Sequence, residues 1–224
     1  MTTSSPTKSN PSSSGSNVGI IGGGFVGQIL KKYYPEAKIY DKFKQMDSLG
    51  EVLQRPYIFI AFNLRDNGRG SYEEITEYLR GDGPRVFIIK STFIPGTTDK
   101  LQQEFPQHAF IYNPEFLTEL TAWEDFTSPQ FQILGMPHST LHLWNDIFSL
   151  LPDAPIKRII SPLDAEILKH AKNSYYALKV TYFNQLYDAT KEAGADYETI
   201  KEILTKDPWI NDSHSVIFHR GYWG

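Results

Sequence analysis

A chain of 224 residues, 40% hydrophobic and 21% charged, has the composition of a globular protein with room for one large domain and an appendage. The net charge of -4 and the lack of any Lys/Arg block exclude an electrostatic footprint for nucleic acid. Because the sequence contains no cysteine, these residues cannot form a disulfide, a thiolate metal site or a thiol nucleophile.

Residues 1–16 are rich in Ser, Thr, Pro and Asn, and this composition predicts a disordered tail. The segment has no apolar stretch of the kind found in a signal peptide. Elsewhere no apolar run approaches the ~20 residues that a membrane-spanning helix requires. We therefore expect a soluble, cytoplasmic protein with neither a membrane nor a nucleic acid among its partners.

Short apolar runs alternate with amphipathic stretches across residues 17–160. This alternation is typical of βαβ units and predicts an α/β fold: a Rossmann-type, doubly wound parallel sheet. Several runs are apolar almost throughout, as expected for strands that helices cover on both faces. The predicted strands are residues 18–22, 37–41, 57–62, 85–91, 109–113, 130–135 and 156–160.

Residues 161–224 are predicted to form a long central helix, residues 162–193, followed by a short helical appendage at 196–205 and an irregular aromatic tail. Gly194 is the residue type most often found just past a helix end. The long helix would measure roughly 48 Å, more than one small domain can cover. Part of its apolar surface therefore needs another partner, either a further C-terminal domain, a second subunit or both, and we expect a homodimer through this helix.

A dinucleotide-binding fingerprint follows the first predicted strand. Gly22, Gly24 and Gly27 have the G-x-G-x-x-G spacing at the start of an amphipathic segment, with Phe25 and Val26 inside it. In such a loop the glycines permit a tight turn, close approach of the backbone to a diphosphate, and close helix-to-strand packing. A lone glycine triplet is weak evidence, but here it stands between a strand and a helix.

Asp41 ends the second predicted strand at about the distance expected for the acid that binds the adenosine ribose. Its carboxylate would accept hydrogen bonds from the ribose hydroxyls and repel a 2′-phosphate, so we expect NAD rather than NADP as the cofactor. Lys42 and Lys44 lie close by and weaken that preference. The alternative is that Asp41 only caps the end of a strand.

Further segments carry a family resemblance: residues 90–98 read KSTFIPGTT, 113–119 NPEFLTE, 122–126 AWEDF, 165–175 AEILKHAKNSY, and 194–196 GAD. In order and spacing these resemble motifs of the UDP-glucose and GDP-mannose 6-dehydrogenases, covering roughly residues 18–224. The resemblance implies NAD-dependent oxidation of the C6 hydroxyl of a nucleotide sugar, with UDP-glucose as the default substrate.

The resemblance also implies site roles. Lys169 and Asn173 lie four residues apart, on one helix face, where an ammonium and an amide would hold an oxyanion that develops at C6 of the sugar. Glu115 would act as acid or base through a water that Thr92 helps to orient. Taken singly, these residues could equally be surface or helix-terminal groups. The implied substrate-binding residues are Glu115, Phe116, Leu117, Lys169 and Asn173; the implied cofactor-binding residues are Gly22, Gly24, Phe25, Val26, Gly27, Asp41, Thr92 and Glu119.

The sequence departs from this family in one respect. Its members hold an intermediate on a cysteine in a G-G-x-C loop, and this chain stops at Gly224, where the approach to that loop is recognisable. Two explanations stay open: a chain truncated within an enzyme family, or a separate NAD-binding protein without the second oxidation. The alternatives in function are a non-catalytic NAD-binding or dimerisation module and a β-hydroxyacid dehydrogenase-like enzyme.

A metal site is not expected. The six histidines have no metal-ligand spacing, and no other metal-binding pattern is present.

Overall fold

The computed structural model describes residues 15–62, 70–79, 83–118 and 120–217. Its strands are β1 (Val18–Ile21), β2 (Lys38–Tyr40), β3 (Tyr57–Ile60), β4 (Val86–Ile89), β5 (Ala109–Tyr112), β6 (Phe131–Gly135) and β7 (Ile156–Ile160). Its helices are α1 (Phe25–Tyr33), α2 (Leu49–Leu53), α3 (Gly70–Tyr78), α4 (Thr97–Glu104), α5 (Ala122–Thr127), α6 (Trp144–Leu150), α7 (Pro162–Glu192) and α8 (Tyr197–Leu204). Short 3-10 turns cover Gly15–Asn17 and His138–Leu143.

The strands form one sheet in the order β2-β1-β3-β4-β5-β6-β7. β1 to β5 are parallel, and β2 and β3 lie on opposite sides of β1. That reversal of strand order creates the crevice, at the carboxyl ends of the strands, where doubly wound sheets bind their ligands. The Rossmann-type α/β fold predicted from the sequence is therefore confirmed.

The sequence predicted a sheet that is parallel throughout, and this prediction is wrong for the last two strands. β6 is antiparallel to β5, which it meets only at the end of that strand, with Tyr112 opposite Gly135, and β7 runs parallel to β6. A parallel crossover needs a connection that returns the chain to the opposite edge of the sheet. In the described part of the connection between β5 and β6 the chain forms the helix α5, and β6 starts beyond the carboxyl edge and runs back towards it.

Burial explains most of the strand sequences. Every residue of β1 is buried, and β3, β4 and β5 are buried except at their first residues, as strands between two layers of helices should be. Two apolar clusters lie on the two faces of the sheet. β7 is the exception: it lies at the edge, and Ile156 and Ile159 are exposed.

The chain divides into two compact units, Met1–Lys169 and His170–Gly224. The first contains the sheet and the first turns of α7. The predicted 1–16 tail lies outside the described residues apart from Gly15 and Ser16, which belong to a 3-10 turn.

The second unit contains the rest of α7 and α8. α7 ends just before Gly194, which has the left-handed backbone conformation (φ 70°). Asp196 caps the N-terminus of α8, because its carboxylate accepts hydrogen bonds from the backbone amides of Glu198 and Thr199. The predicted long helix and short appendage are confirmed. No helix in the described part of the chain is long and apolar enough to cross a bilayer.

Candidate functional site

The glycine-rich loop connects β1 to α1 in a conformation that other residues would not permit. Gly22 has a φ of 110°, and a Cβ on it would lie 2.5 Å from the Ala61 carbonyl oxygen. A Cβ on Gly27 would lie 1.8 Å from the Gly22 carbonyl oxygen, so α1 packs against the loop only through a bare Cα. Apart from Gly24 itself and its two chain neighbours, no described residue has a heavy atom within 4 Å of a Cβ built on Gly24, so this position is open to a ligand. Phe25 and Val26 form the first turn of α1.

Asp41 is tied to this loop. One carboxylate oxygen accepts a hydrogen bond from the Gly23 amide at 2.7 Å, and the other accepts one from the Phe43 amide at 2.9 Å. A carboxylate has about four acceptor positions, so two ribose hydroxyls can still bind. Lys44 donates to the Gly23 carbonyl oxygen at 2.6 Å, which places a positive charge beside the glycines.

A cavity of about 450 Å³ opens at the Asp41 side of the loop. Tyr40, Phe62 and Tyr78 supply aromatic surface, which suits an adenine ring. The carboxylates of Glu73, Glu74 and Glu77 also line it, and acidic groups disfavour a 2′-phosphate.

A second cavity of about 560 Å³ lies on the other side of Gly24, and its lining includes Phe25, Lys44, Leu120 and Trp123. Gly24 and Lys44 line both cavities. The residues present therefore fit a dinucleotide whose diphosphate crosses the loop at Gly24.

Glu115 and Lys169, predicted from distant motifs, meet in the structure. The ammonium of Lys169 lies 2.6 Å from Oε1 of Glu115 and 2.6 Å from its carbonyl oxygen. The other carboxylate oxygen accepts a hydrogen bond from the Leu117 amide at 2.8 Å. Both side chains are largely buried, and the Phe116 ring centroid lies 5.5 Å from the Lys169 ammonium. The first four predicted substrate residues thus form one cluster just past the carboxyl end of β5.

Thr92 lies in the loop after β4, half-buried. Its neighbour Ser91 anchors that loop to the end of β3, because its hydroxyl donates to the Phe62 carbonyl oxygen at 2.7 Å and accepts from the Phe62 amide at 3.1 Å. Asp125 of the AWEDF motif ties down the loop that follows Leu117: its carboxylate accepts from the Thr118 amide and the Thr121 hydroxyl, both at 2.9 Å.

Two buried charges near the cluster were missed at the sequence level. Lys90, immediately after β4, donates to Oδ1 of Asn113 at 2.6 Å, and burial lowers its pKa to about 8. Glu166, three residues before Lys169 on α7, accepts a hydrogen bond from the Gly96 amide at 2.5 Å, at the N-terminus of α4. Both residues stand inside the quoted motifs, and a charge directly ending an apolar strand, as in VFIIK, was the available signal for Lys90.

All the expected site roles remain predictions, and two of the residues are not placed in the cluster. Glu119 lies outside the described residues. Asn173 lies on α7 in the second compact unit, whereas Lys169 closes the first. In the described ranges, no group of three or more His, Cys, Asp or Glu side chains is arranged to hold a metal ion.

The sequence is similar to those of known proteins. Residues 163–221 match the model of the UDP-glucose/GDP-mannose dehydrogenase family, central domain. The UDP-glucose 6-dehydrogenase of Rickettsia bellii is 26% identical over 195 residues, which are 81% of this chain and 45% of that protein. The GDP-mannose 6-dehydrogenase of Azotobacter vinelandii is 30% identical over 135 residues, covering 55% of this chain and 30% of that protein.

The fold has solved counterparts. A UDP-glucose dehydrogenase from the archaeon Pyrobaculum islandicum superposes with a TM-score of 0.71 at 22% identity, over 88% of this chain and 58% of that one. The chain spans less than half the length of the two curated relatives.

The fold and the glycine-rich loop define a class: a Rossmann-type domain with a loop of the dinucleotide-binding kind. Within that class, the chain is similar to the UDP-glucose and GDP-mannose 6-dehydrogenases, and residues 163–221 match the central-domain model of that family.

Proposed function

We propose that this chain binds NAD and oxidises the C6 hydroxyl of a nucleotide sugar, with UDP-glucose as the first candidate. The observation that carries the proposal is the pair of Lys169 and Glu115, which places a cation and a carboxylate together past the carboxyl end of β5. The dinucleotide loop follows β1 at the same edge of the parallel sheet.

Alcohol oxidation requires a group that stabilises the oxygen as its proton leaves and a group that accepts that proton. An ammonium has three N–H donors, and Glu115 accepts two of those of Lys169. We assign the third to the sugar oxygen. Bound NAD supplies the hydride acceptor for C6, while the Glu115 carboxylate takes the proton through a water that Thr92 orients.

The cofactor preference follows from charge. Asp41 and the glutamates of α3 line the cavity at the ribose end and disfavour a 2′-phosphate, whereas Lys44 beside Gly23 favours the diphosphate. The proposal therefore takes NAD rather than NADP.

The step that the proposal assigns to the residues present is hydride removal from C6 of the sugar, the step that Lys169 and Glu115 serve. No thiol is present in these residues, so none of their side chains offers the nucleophile that the family's second oxidation uses. Asn173 and Glu119 enter the proposal on the family resemblance alone, the first as a second donor to the oxyanion and the second as a residue near the nicotinamide.

The proposal is tested by following NADH absorbance with the chain, NAD and either UDP-glucose or GDP-mannose. Replacing Lys169 by Met is expected to lower the rate by roughly 100- to 1000-fold, the usual loss for a direct oxyanion donor. Lys157→Met, an exposed lysine of β7, is the matched control and should leave the rate unchanged. Folded protein that binds NAD but yields no NADH with any nucleotide sugar would reduce the role of the chain to cofactor binding.

We also propose a homodimer through α7. Ala171, Tyr175, Leu178 and Tyr182 are exposed and spaced four, three and four residues apart, which is the spacing of a helix-pairing seam.

A further inference from the structure

Lys90 is a buried charge that a hydrogen bond fixes to Asn113. Its side chain is only 4% exposed, and its ammonium donates to Oδ1 of Asn113 at 2.6 Å. The orientation of that amide is fixed from the other side, because its Nδ2 donates to the Ile133 carbonyl oxygen at 2.8 Å and to Oε1 of Gln132 at 3.2 Å. The oxygen of Asn113 must therefore face Lys90.

This contact connects the two segments that carry the expected catalytic groups. Lys90 begins the loop that holds Thr92, and Asn113 stands two residues before Glu115. Asn113 is also anchored to β4, since its backbone amide donates a hydrogen bond to the Ile89 carbonyl oxygen at 2.8 Å. A side chain that joins both loops at the sheet edge limits how far either can move.

The charged groups that face Lys90 are Glu115, after β5, and Lys169, on α7. Burial lowers the pKa of Lys90 to about 8; the nearby Lys169 lowers it as well, and Glu115 acts in the opposite sense. Lys90, Glu115 and Lys169 together carry a net charge of +1 when Lys90 is protonated and of zero when it is not.

We propose that Lys90 is a positioning residue for the Glu115–Lys169 pair: it holds the Asn113–Glu115 segment and keeps a positive charge behind the pair. The effect of Lys90 on catalysis rests on the proposed function. The electrostatic coupling between Lys90 and the Glu115–Lys169 pair does not, because it exists in the protein without substrate.

The consequence is an alkaline limit on the reaction. A positive charge behind the pair favours the alkoxide form of the sugar oxygen and the negatively charged nucleotide sugar. Above about pH 8 Lys90 loses its proton and the site loses that charge. The rate should therefore fall as pH rises through this range, and a variant without the amine should be slow at every pH and lack this fall.

The first test needs no turnover. Lysines labelled with ¹³C at Cε are followed by NMR from pH 7 to 10 in the whole chain, with Lys169→Met and Lys90→Met assigning the two signals. We expect the Lys169 signal to show a step at the midpoint of Lys90 and to lose it in Lys90→Met. Lys100→Met, an exposed lysine of α4, is the matched control and should leave the step in place. A wild-type Lys169 signal with no such step overturns the inference.

The second test is the pH profile of kcat for NADH formation. We expect Lys90→Met to lower kcat at pH 7 by about tenfold, less than Lys169→Met, because Lys90 acts through the pair. The wild-type fall above pH 8 should disappear in this variant. Gln132→Leu disturbs the same buried network without removing a charge, and its profile should keep the fall. If the rate of Lys90→Met falls above pH 8 as the wild-type rate does, the catalytic role of Lys90 is overturned. If NMR shows the coupling between Lys90 and Lys169 but the chain never forms NADH, the proposed function is refuted and the coupling remains.

Discussion

The carboxylate of Glu166 closes the N-terminus of α4 at Thr98, accepting hydrogen bonds from the Thr98 amide at 2.9 Å and the Thr98 hydroxyl at 2.6 Å. With the Gly96 amide at the other oxygen, one side chain satisfies groups that the first turn of a helix otherwise leaves unpaired. The negative charge also lies at the positive end of the helix dipole. Because Lys169 follows one turn later, the contact connects the loop bearing Thr92 with the helix that supplies the ammonium.

Replacing Glu166 by Ala should therefore destabilise the protein by about 2–4 kcal/mol, because buried amides lose a charged acceptor. Chemical denaturation monitored by circular dichroism measures the change. Asp164→Asn removes an exposed acid from the first turn of the same helix and serves as the control, with an expected change below about 0.5 kcal/mol. Equal losses in the two variants would contradict a specific capping role for Glu166.

The glycine loop permits a matched pair of substitutions. Gly27→Ala places a Cβ 1.8 Å from the Gly22 carbonyl oxygen, so we expect a loss of about 3 kcal/mol or more in stability. Gly24→Ala meets open space at a φ of -77°, which alanine adopts without strain, so its stability should change by less than about 0.5 kcal/mol.

The same Gly24→Ala variant should nevertheless bind NAD more weakly, since its methyl group projects where the diphosphate must approach the backbone. Calorimetric titration with NAD, alongside thermal unfolding, separates the two effects. Undiminished NAD affinity in folded Gly24→Ala would place the diphosphate elsewhere.

Burial of Lys90 predicts how stability depends on pH. Its pKa is about 8 in the folded chain and 10.5 when unfolded, so between these values the unfolded state holds a proton that the folded state has lost. Folding stability should then rise with pH across this window, and the burial penalty of about 3 kcal/mol should be fully present only below pH 8. Denaturant unfolding at pH 7, 8.5 and 10 should show the rise in wild type and not in Lys90→Met. Parallel curves for the two proteins would mean that Lys90 keeps its ordinary pKa.

The local parts of the structure were predictable from the sequence. The turn after β1 was predictable because its glycine spacing is itself the signal: Gly22 adopts a positive φ, and Gly27 packs against the Gly22 carbonyl oxygen, where a side chain would not fit. The buried strands β1, β3, β4 and β5 were recognisable because both of their faces are covered, which leaves a continuous apolar run.

The parts that depend on distant contacts were not predictable. The direction of β6 is set by where the chain lies after β5, and no residue type in β6 encodes it. Sequence reasoning treats lysine and glutamate as surface residues, yet Lys90 and Glu166 are buried because partners 23 and 68 or more residues away satisfy them. The family motifs assigned Glu115 and Lys169 to one expected site, and their side chains are in contact in the structure, although nothing in either segment alone indicates the other.

The exposed seam of α7 leads to a prediction about assembly. Leu178 is 68% exposed at the centre of a row that includes Tyr175 and Tyr182. A twofold dimer would bury these side chains in both protomers. Replacing Leu178 by Glu removes two buried leucines per dimer at ~1.5–3 kcal/mol each and introduces two like charges, so the dissociation constant should rise by ~100-fold or more.

Sedimentation velocity across a range of micromolar concentrations measures this directly, with the wild type expected as a dimer and Leu178→Glu as a monomer. Ile203→Glu on α8 is the matched control, because Ile203 is 71% exposed but lies off the seam, and it should sediment as the wild type does. A wild-type chain that stays monomeric throughout that range would refute the dimer through α7.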